Sequence, residues 1–161
     1  MQKHEFLVTN VKGLVGIESS NENFNDMYEF KVVVEKTENG FLGYCNGEFS
    51  FKVKSPNIEL LRREVNREIS GILQKKIEMH KYINYSHNLN PRVHYIFDVQ
   101  KLLHDIQPYI KFKTLAEHAG ITNVTLSYYL HGHKSSTEKN FMKLVKAIQA
   151  ISLKLQDLSF S

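Results

Sequence analysis

The chain has one cysteine, Cys45, among its 161 residues. That excludes a disulfide framework within one chain and any zinc site built on several cysteines. Cys45 reads as a small apolar side chain in a strand, with no base identifiable beside it for a nucleophilic role. No apolar run approaches the ~20 residues needed to span a bilayer. The opening residues MQKHEFLVTN lack the basic-then-apolar pattern of a secretory signal, so a cytoplasmic protein with no membrane partner is expected. Catalytic and metal spacings are missing as well. There is no HExxH, no paired Cys/His set and no GxSxG, and Gly40, Gly43 and Gly47 lack the spacing of a phosphate loop. The eight histidines do not change this. His131 and His133 flank Gly132 without a neighbouring carboxylate, His80, His87 and His94 fall at irregular spacing, and His118 reads as a surface residue. Glu64 and Glu68 read as solvated charges on one helix face. No enzyme activity, metal or cofactor is expected.

What is present is unevenly spread charge. Residues 1–97 hold thirteen Lys/Arg against twelve Asp/Glu, whereas residues 98–161 hold eight lysines against five acids. Most of the net charge of +4 therefore belongs to the shorter C-terminal part, which favours a polyanionic partner.

The two parts also differ in period. MYEFKVVVEK, GFLGYC and EFSFKVK alternate like strands, and Asn39-Gly40 and Asn46-Gly47 mark the turns between them. HEFLVTN and GLVGIES are two further candidate strands. At Ser55-Pro56 the period becomes helical. Ser55 is the expected cap, and Leu61, Val65, Ile69, Ile72 and Ile77 form the expected apolar stripe. The uncharged stretch INYSHNLNP reads as a linker or long loop, and RVHYIF as a strand able to return to the first sheet. From Asp98 the chain reads as wholly helical, with Asp98 capping VQKLLHDIQ and Pro108 ending it. Ser135 and Glu138 have the spacing of a capping box. They precede a last helix with the stripe Phe141, Leu144, Val145, Ile148, Ile151 and Leu155. The expected fold class is α+β, divided into a β-rich part with one long helix (residues 1–90) and a helical part (residues 91–161).

Within the helical part, LAEHAGITNVTLSYYLHG fits a helix-turn-helix position by position. Such a unit needs apolar inner faces, a small residue where the helices approach, and glycine where the turn requires positive φ. Leu115 and Ala119 supply the first inner face, Ala116 the small contact and Gly120 the turn. Ile121, Leu126, Tyr129 and Leu130 complete the inner face, and Thr122 is placed to cap the second helix. Its outward residues are then Asn123, Val124, Thr125, Ser127 and Tyr128, with no arginine or lysine between Ile121 and Leu130. In a major groove, asparagine pairs bidentately with adenine, hydroxyls donate or accept, and apolar groups meet thymine methyls. Lys111, Lys113, His131, His133, Lys134 and Ser136 flank this face with the chemistry of phosphate contacts.

TLAEHAGITNVTLSYYLHGHKSSTEKNFMKLVKAI is similar to the helix-turn-helix of Cro/C1-type regulators, and TLSYYLHG also to the LacI type. YIFDVQKLL, the helix-turn-helix and HGHKSSTEKNFMKLVKAIQAI together resemble the C-terminal half of HicB-like antitoxins that carry a DNA-binding domain. In that family a β-β-β-α-β domain precedes the helix-turn-helix, and the elements read between Met27 and Phe97 follow that order. The resemblance implies transcriptional regulation through double-stranded DNA by a homodimer. Two alternatives remain: an antitoxin whose N-terminal domain neutralises a small toxin protein, and a protein-interaction adaptor that does not bind DNA.

Overall fold

The computed structural model describes residues 28–79 and 91–159. The strands expected in HEFLVTN and GLVGIES, His80, His87 and nearly all of INYSHNLNP lie outside the described residues. The order of elements is β1 (Glu29–Thr37), β2 (Gly40–Cys45), β3 (Phe51–Ser55), α1 (Ile58–Met79), β4 (Arg92–Phe97), α2 (Val99–Ile106), α3 (Phe112–Ala119), α4 (Asn123–Leu130) and α5 (Glu138–Ser159). The fold is α+β: one four-stranded sheet carrying a long helix, followed by helices.

Alternation in β1 puts Phe30, Val32 and Val34 in the core, while Glu29 and Lys31 point to the other face. β2 pairs antiparallel with both β1 and β3, and β4 lies parallel to β1 on its other side, giving the order β3-β2-β1-β4. Gly40 closes the first hairpin at φ 149°, where a Cβ would stand 2.3 Å from the Ser55 carbonyl oxygen, so only glycine fits. α1 covers the Phe30 face, with its Leu61 side chain 3.4 Å from where a Cβ on Gly43 would be.

Three local expectations give way to packing. Asn46-Gly47 does not make a two-residue turn, because the closing pair is Cys45 with Phe51 and the loop runs from Asn46 to Ser50. The longer loop turns Phe49 toward Phe30 and Tyr28, at ring distances of 5.7 and 6.0 Å. α1 is capped by Asn57, whose side chain accepts from the Leu60 N–H at 2.8 Å. Ser55, the expected cap, instead ends β3. The buried stripe of α1 is Ile58, Leu61, Val65, Ile69 and Leu73; Ile72 is half-buried and Ile77 exposed.

The expected division at residues 90 and 91 falls immediately before β4, which belongs to the sheet. A single residue, Asp98, separates β4 from α2. Its N–H donates to the Val34 carbonyl at 2.8 Å and its side chain accepts from the Lys101 N–H at 2.9 Å, so it ends the ladder and starts the helix. One continuous core runs through both parts. Phe141 of α5 packs against Phe97 of β4 at 5.3 Å and Phe41 of β2 at 6.3 Å. Arg62 of α1 pairs with Glu138 of α5, and Lys101 of α2 with Glu35 of β1. Burial raises the Glu35 carboxyl, but hydrogen bonds from Lys101 and from Tyr44 (2.9 Å) outweigh it and hold the group below the usual carboxylate range. The same contact raises the Lys101 ammonium.

Candidate nucleic-acid interface

α3 and α4 are two helices of eight residues each, joined through Gly120, Ile121 and Thr122. Apolar spacing fixes what they bury. Leu115, Ala116 and Ala119 from α3, with Leu126 and Tyr129 from α4, are buried, and Ile121 and Leu130 pack against them half-buried. Gly120 is left-handed at φ 60°. Its N–H donates to the Glu117 carbonyl at 3.3 Å and the Ile121 N–H to the Ala116 carbonyl at 3.0 Å. That pair of bonds is a Schellman closure. The next residue starts α4, with Thr122 Oγ1 accepting from the Thr125 N–H at 3.2 Å. This is the bond that the capping rule requires. The far end of α4 repeats the closure. Gly132, at φ 70°, donates to the Tyr129 carbonyl at 3.2 Å, and the His133 N–H donates to the Tyr128 carbonyl at 2.9 Å.

Two side chains from outside the motif brace α4. Gln100 of α2 donates to the Leu130 carbonyl at 3.1 Å and lies against Gly132, where a Cβ would meet its side-chain oxygen at 3.3 Å. Asn140 of α5 donates to the buried Tyr129 hydroxyl at 2.9 Å. Sequence pattern gives no sign of either, because they reach across thirty and eleven positions. α5 is capped by Thr137, whose hydroxyl accepts from the Asn140 N–H at 3.3 Å. Ser135 therefore lies outside the cap expected of it.

Of the twelve residues expected to face DNA, Asn123, Val124, Ser127 and Tyr128 are exposed on α4. Thr122, Lys111, Lys113, His131, His133 and Lys134 are also exposed. Thr125 is half-buried, and its hydroxyl is hydrogen-bonded to that of Thr122 at 2.9 Å. Ser136 is half-buried, bridges to Phe97, and donates to the Thr137 carbonyl at 2.9 Å. These two are held within the fold, and the others are exposed. Among the described residues, none of Lys111, Lys113, Lys134, Lys139, Lys143 and Lys146 forms an ion pair, whereas Arg62, Arg63 and Arg67 of α1 all do. Among the described residues, these lysines therefore carry charge that no carboxylate neutralises in a direct pair.

Beyond α4 the imidazoles of His131 and His133 stack at 5.9 Å, and His133 meets Tyr128 edge-on at 6.3 Å. His131 Nδ1 donates to the Ser127 carbonyl at 2.8 Å. Elsewhere, burial pushes the Cys45 thiol up, against the needs of a nucleophile. Among the described residues, no group of three or more His, Cys, Asp and Glu is placed to hold a metal ion, and no helix is long and apolar enough to cross a membrane.

The fold so far is α+β, with the short helices α3 and α4 joined by a three-residue turn and α4 closed by hydrogen bonds at both ends. Compared with family models, curated proteins and solved structures, the chain matches none of them.

Proposed function

We propose that the protein is a sequence-specific regulator of transcription that binds double-stranded DNA as a homodimer through α4. The observation that carries this reading is the exposed face of α4. Asn123, Val124, Ser127 and Tyr128 point outward, hydrogen bonds close both ends of the helix, and exposed Lys111, Lys113 and Lys134 flank the two helices in sequence without an ion pair among the described residues. Such a helix meets the needs of a reader held against a polyanion. Two copies are part of the reading because one short helix rarely supplies enough affinity or specificity. The end of α5 offers a face for the second copy. Phe141, Leu144, Ile148, Ile151 and Leu155 follow heptad spacing that starts in the core and runs outward. It leaves Leu155 58% exposed.

The test is binding to a random duplex pool at several salt concentrations. Asn123→Ala is expected to relax sequence preference. Lys134→Ala is expected to weaken binding to all sequences alike and to reduce the salt slope by about 1. Binding that does not depend on salt, or none at all, would sink the proposal and leave the adaptor reading in its place.

A second reading is favoured by the order β1-β2-β3-α1-β4, the order that the resemblance to HicB-like antitoxins implies. In it the N-terminal domain masks a small toxin protein. Co-expression with the product of an adjacent small reading frame checks this: a stable complex is expected, and a solitary protein counts against it.

A further inference from the structure

We infer that the bases under α4 are A·T pairs, recognised through thymine methyl groups and an adenine edge and without a direct contact to guanine. This inference rests on the DNA-binding reading and adds the class of sequence that is read.

Hydrogen bonding and burial leave few side chains to meet a base. Leu126 and Tyr129 are in the core, and Leu130 is half-buried against it. Thr122 and Thr125 satisfy each other and the first turn of the helix. Asn123, Val124 and Tyr128 remain, with Ser127, whose hydroxyl lies 3.5 Å from His131 Nδ1, on the same face. That face has no cation and no carboxylate. Guanine offers two acceptors in the major groove and is read best by the paired donors of arginine or by lysine. Cytosine offers an amine and is read by a carboxylate. Neither partner is present.

The residues that are present match the other two bases. Adenine shows a donor beside an acceptor, the complement of a carboxamide. The Asn123 amide is exposed in the first turn and has no hydrogen bond among the described residues. Thymine shows a methyl group, which apolar side chains meet. Val124 and Tyr128, 61% and 49% exposed, form an apolar ridge on successive turns. The Tyr128 ring meets the His133 ring edge-on, and His133 in turn stacks on His131. From Asn123 to Tyr128 the helix rises about 7.5 Å, which covers two base-pair steps of about 3.4 Å each. Two or three consecutive A·T pairs are therefore the natural extent of the contact.

The experiment starts from the duplex that the full-length protein enriches from a random pool. Half-site thymines are replaced one at a time by uracil, which removes only the methyl group. At one or two positions binding is expected to weaken about fourfold, the effect of one buried methyl. Val124→Ala, an exposed substitution, should shrink that penalty at one of them. Replacing half-site guanines with 7-deazaguanine should leave affinity unchanged. An enriched site that ignores uracil, or one that loses affinity with 7-deazaguanine under α4, overturns the inference while leaving DNA binding intact. Salt-dependent binding with no preferred sequence also overturns it. No binding to any duplex overturns both this inference and the reading it rests on.

Discussion

At the scale of single residues, α4 is held by groups that contribute nothing to its outward face. Thr122 stabilises the first turn through its side-chain oxygen and shares its hydroxyl with Thr125. Thr122→Ala is expected to lower stability by about 1 kcal/mol, while Thr122→Ser, which keeps the oxygen, should retain most of it. Urea unfolding of the three proteins measures the difference. Gly120 and Gly132 do related work under different constraints. Both have positive φ, but a Cβ on Gly120 would meet nothing within 4 Å, whereas one on Gly132 would press on Gln100. Gly120, Ala116 and Thr122 are legible in the sequence because every bond that fixes them closes within five positions, the range over which spacing carries information. Gln100 is not legible, since its partner at Leu130 becomes a neighbour only when α2 and α4 pack.

Among whole elements, α5 runs from the core to the surface. Its first half is anchored by Phe141 and Leu144, both fully buried, while its last turns carry the same spacing into exposed Leu155. On the homodimer proposal, Leu155→Lys is expected to shift the protein from dimer to monomer in sedimentation at micromolar concentration without lowering the helix content. A variant that stays dimeric would place the contact between copies elsewhere. The α5 stripe is readable because six apolar residues repeat it, and repetition outweighs any one local signal. Starts and turns are less readable. Thr137 caps α5 two residues after Ser135, and Asn57 caps α1 two residues after Ser55, because cap-forming residues stand close together and tertiary packing selects among them. In place of the Asn46-Gly47 turn, a longer loop from Asn46 to Ser50 packs the Phe49 ring against Phe30.

For the molecule as a whole, the two parts are joined by ion pairs and a shared core. Glu35 is the buried member of one pair, with its side chain 11% exposed against 49% for Lys101. Its depressed folded-state pKa gives a stabilisation that is present above the ordinary carboxylate value of about 4.5 and is lost as pH falls through the folded value. For Lys101, raised in the folded state, the contribution is present below the ordinary lysine value near 10.5 and is lost as pH rises through its folded value. Glu35→Gln is expected to cost about 1–2 kcal/mol at neutral pH, with the gap to the native protein closing as pH drops below the carboxylate range. Chemical denaturation across that range reads it directly. The α+β class and the helical C-terminal part are legible from the change of period near residue 55 and from Asp98 onward. The join between the two parts is not, because Phe97 and Phe141 stand forty-four positions apart and no local pattern pairs them. The parallel pairing of β1 with β4 also bears on how the chain comes together. Glu29 lies opposite Arg92, so the sheet closes a loop of more than sixty residues, whose ordering must precede the reward of that contact. During synthesis the hairpins of β1, β2 and β3 are complete while one edge of β1 still waits for its neighbour. The helices that follow are joined to that neighbour through Asp98 alone, so their seating on the sheet is tied to residues 92–97.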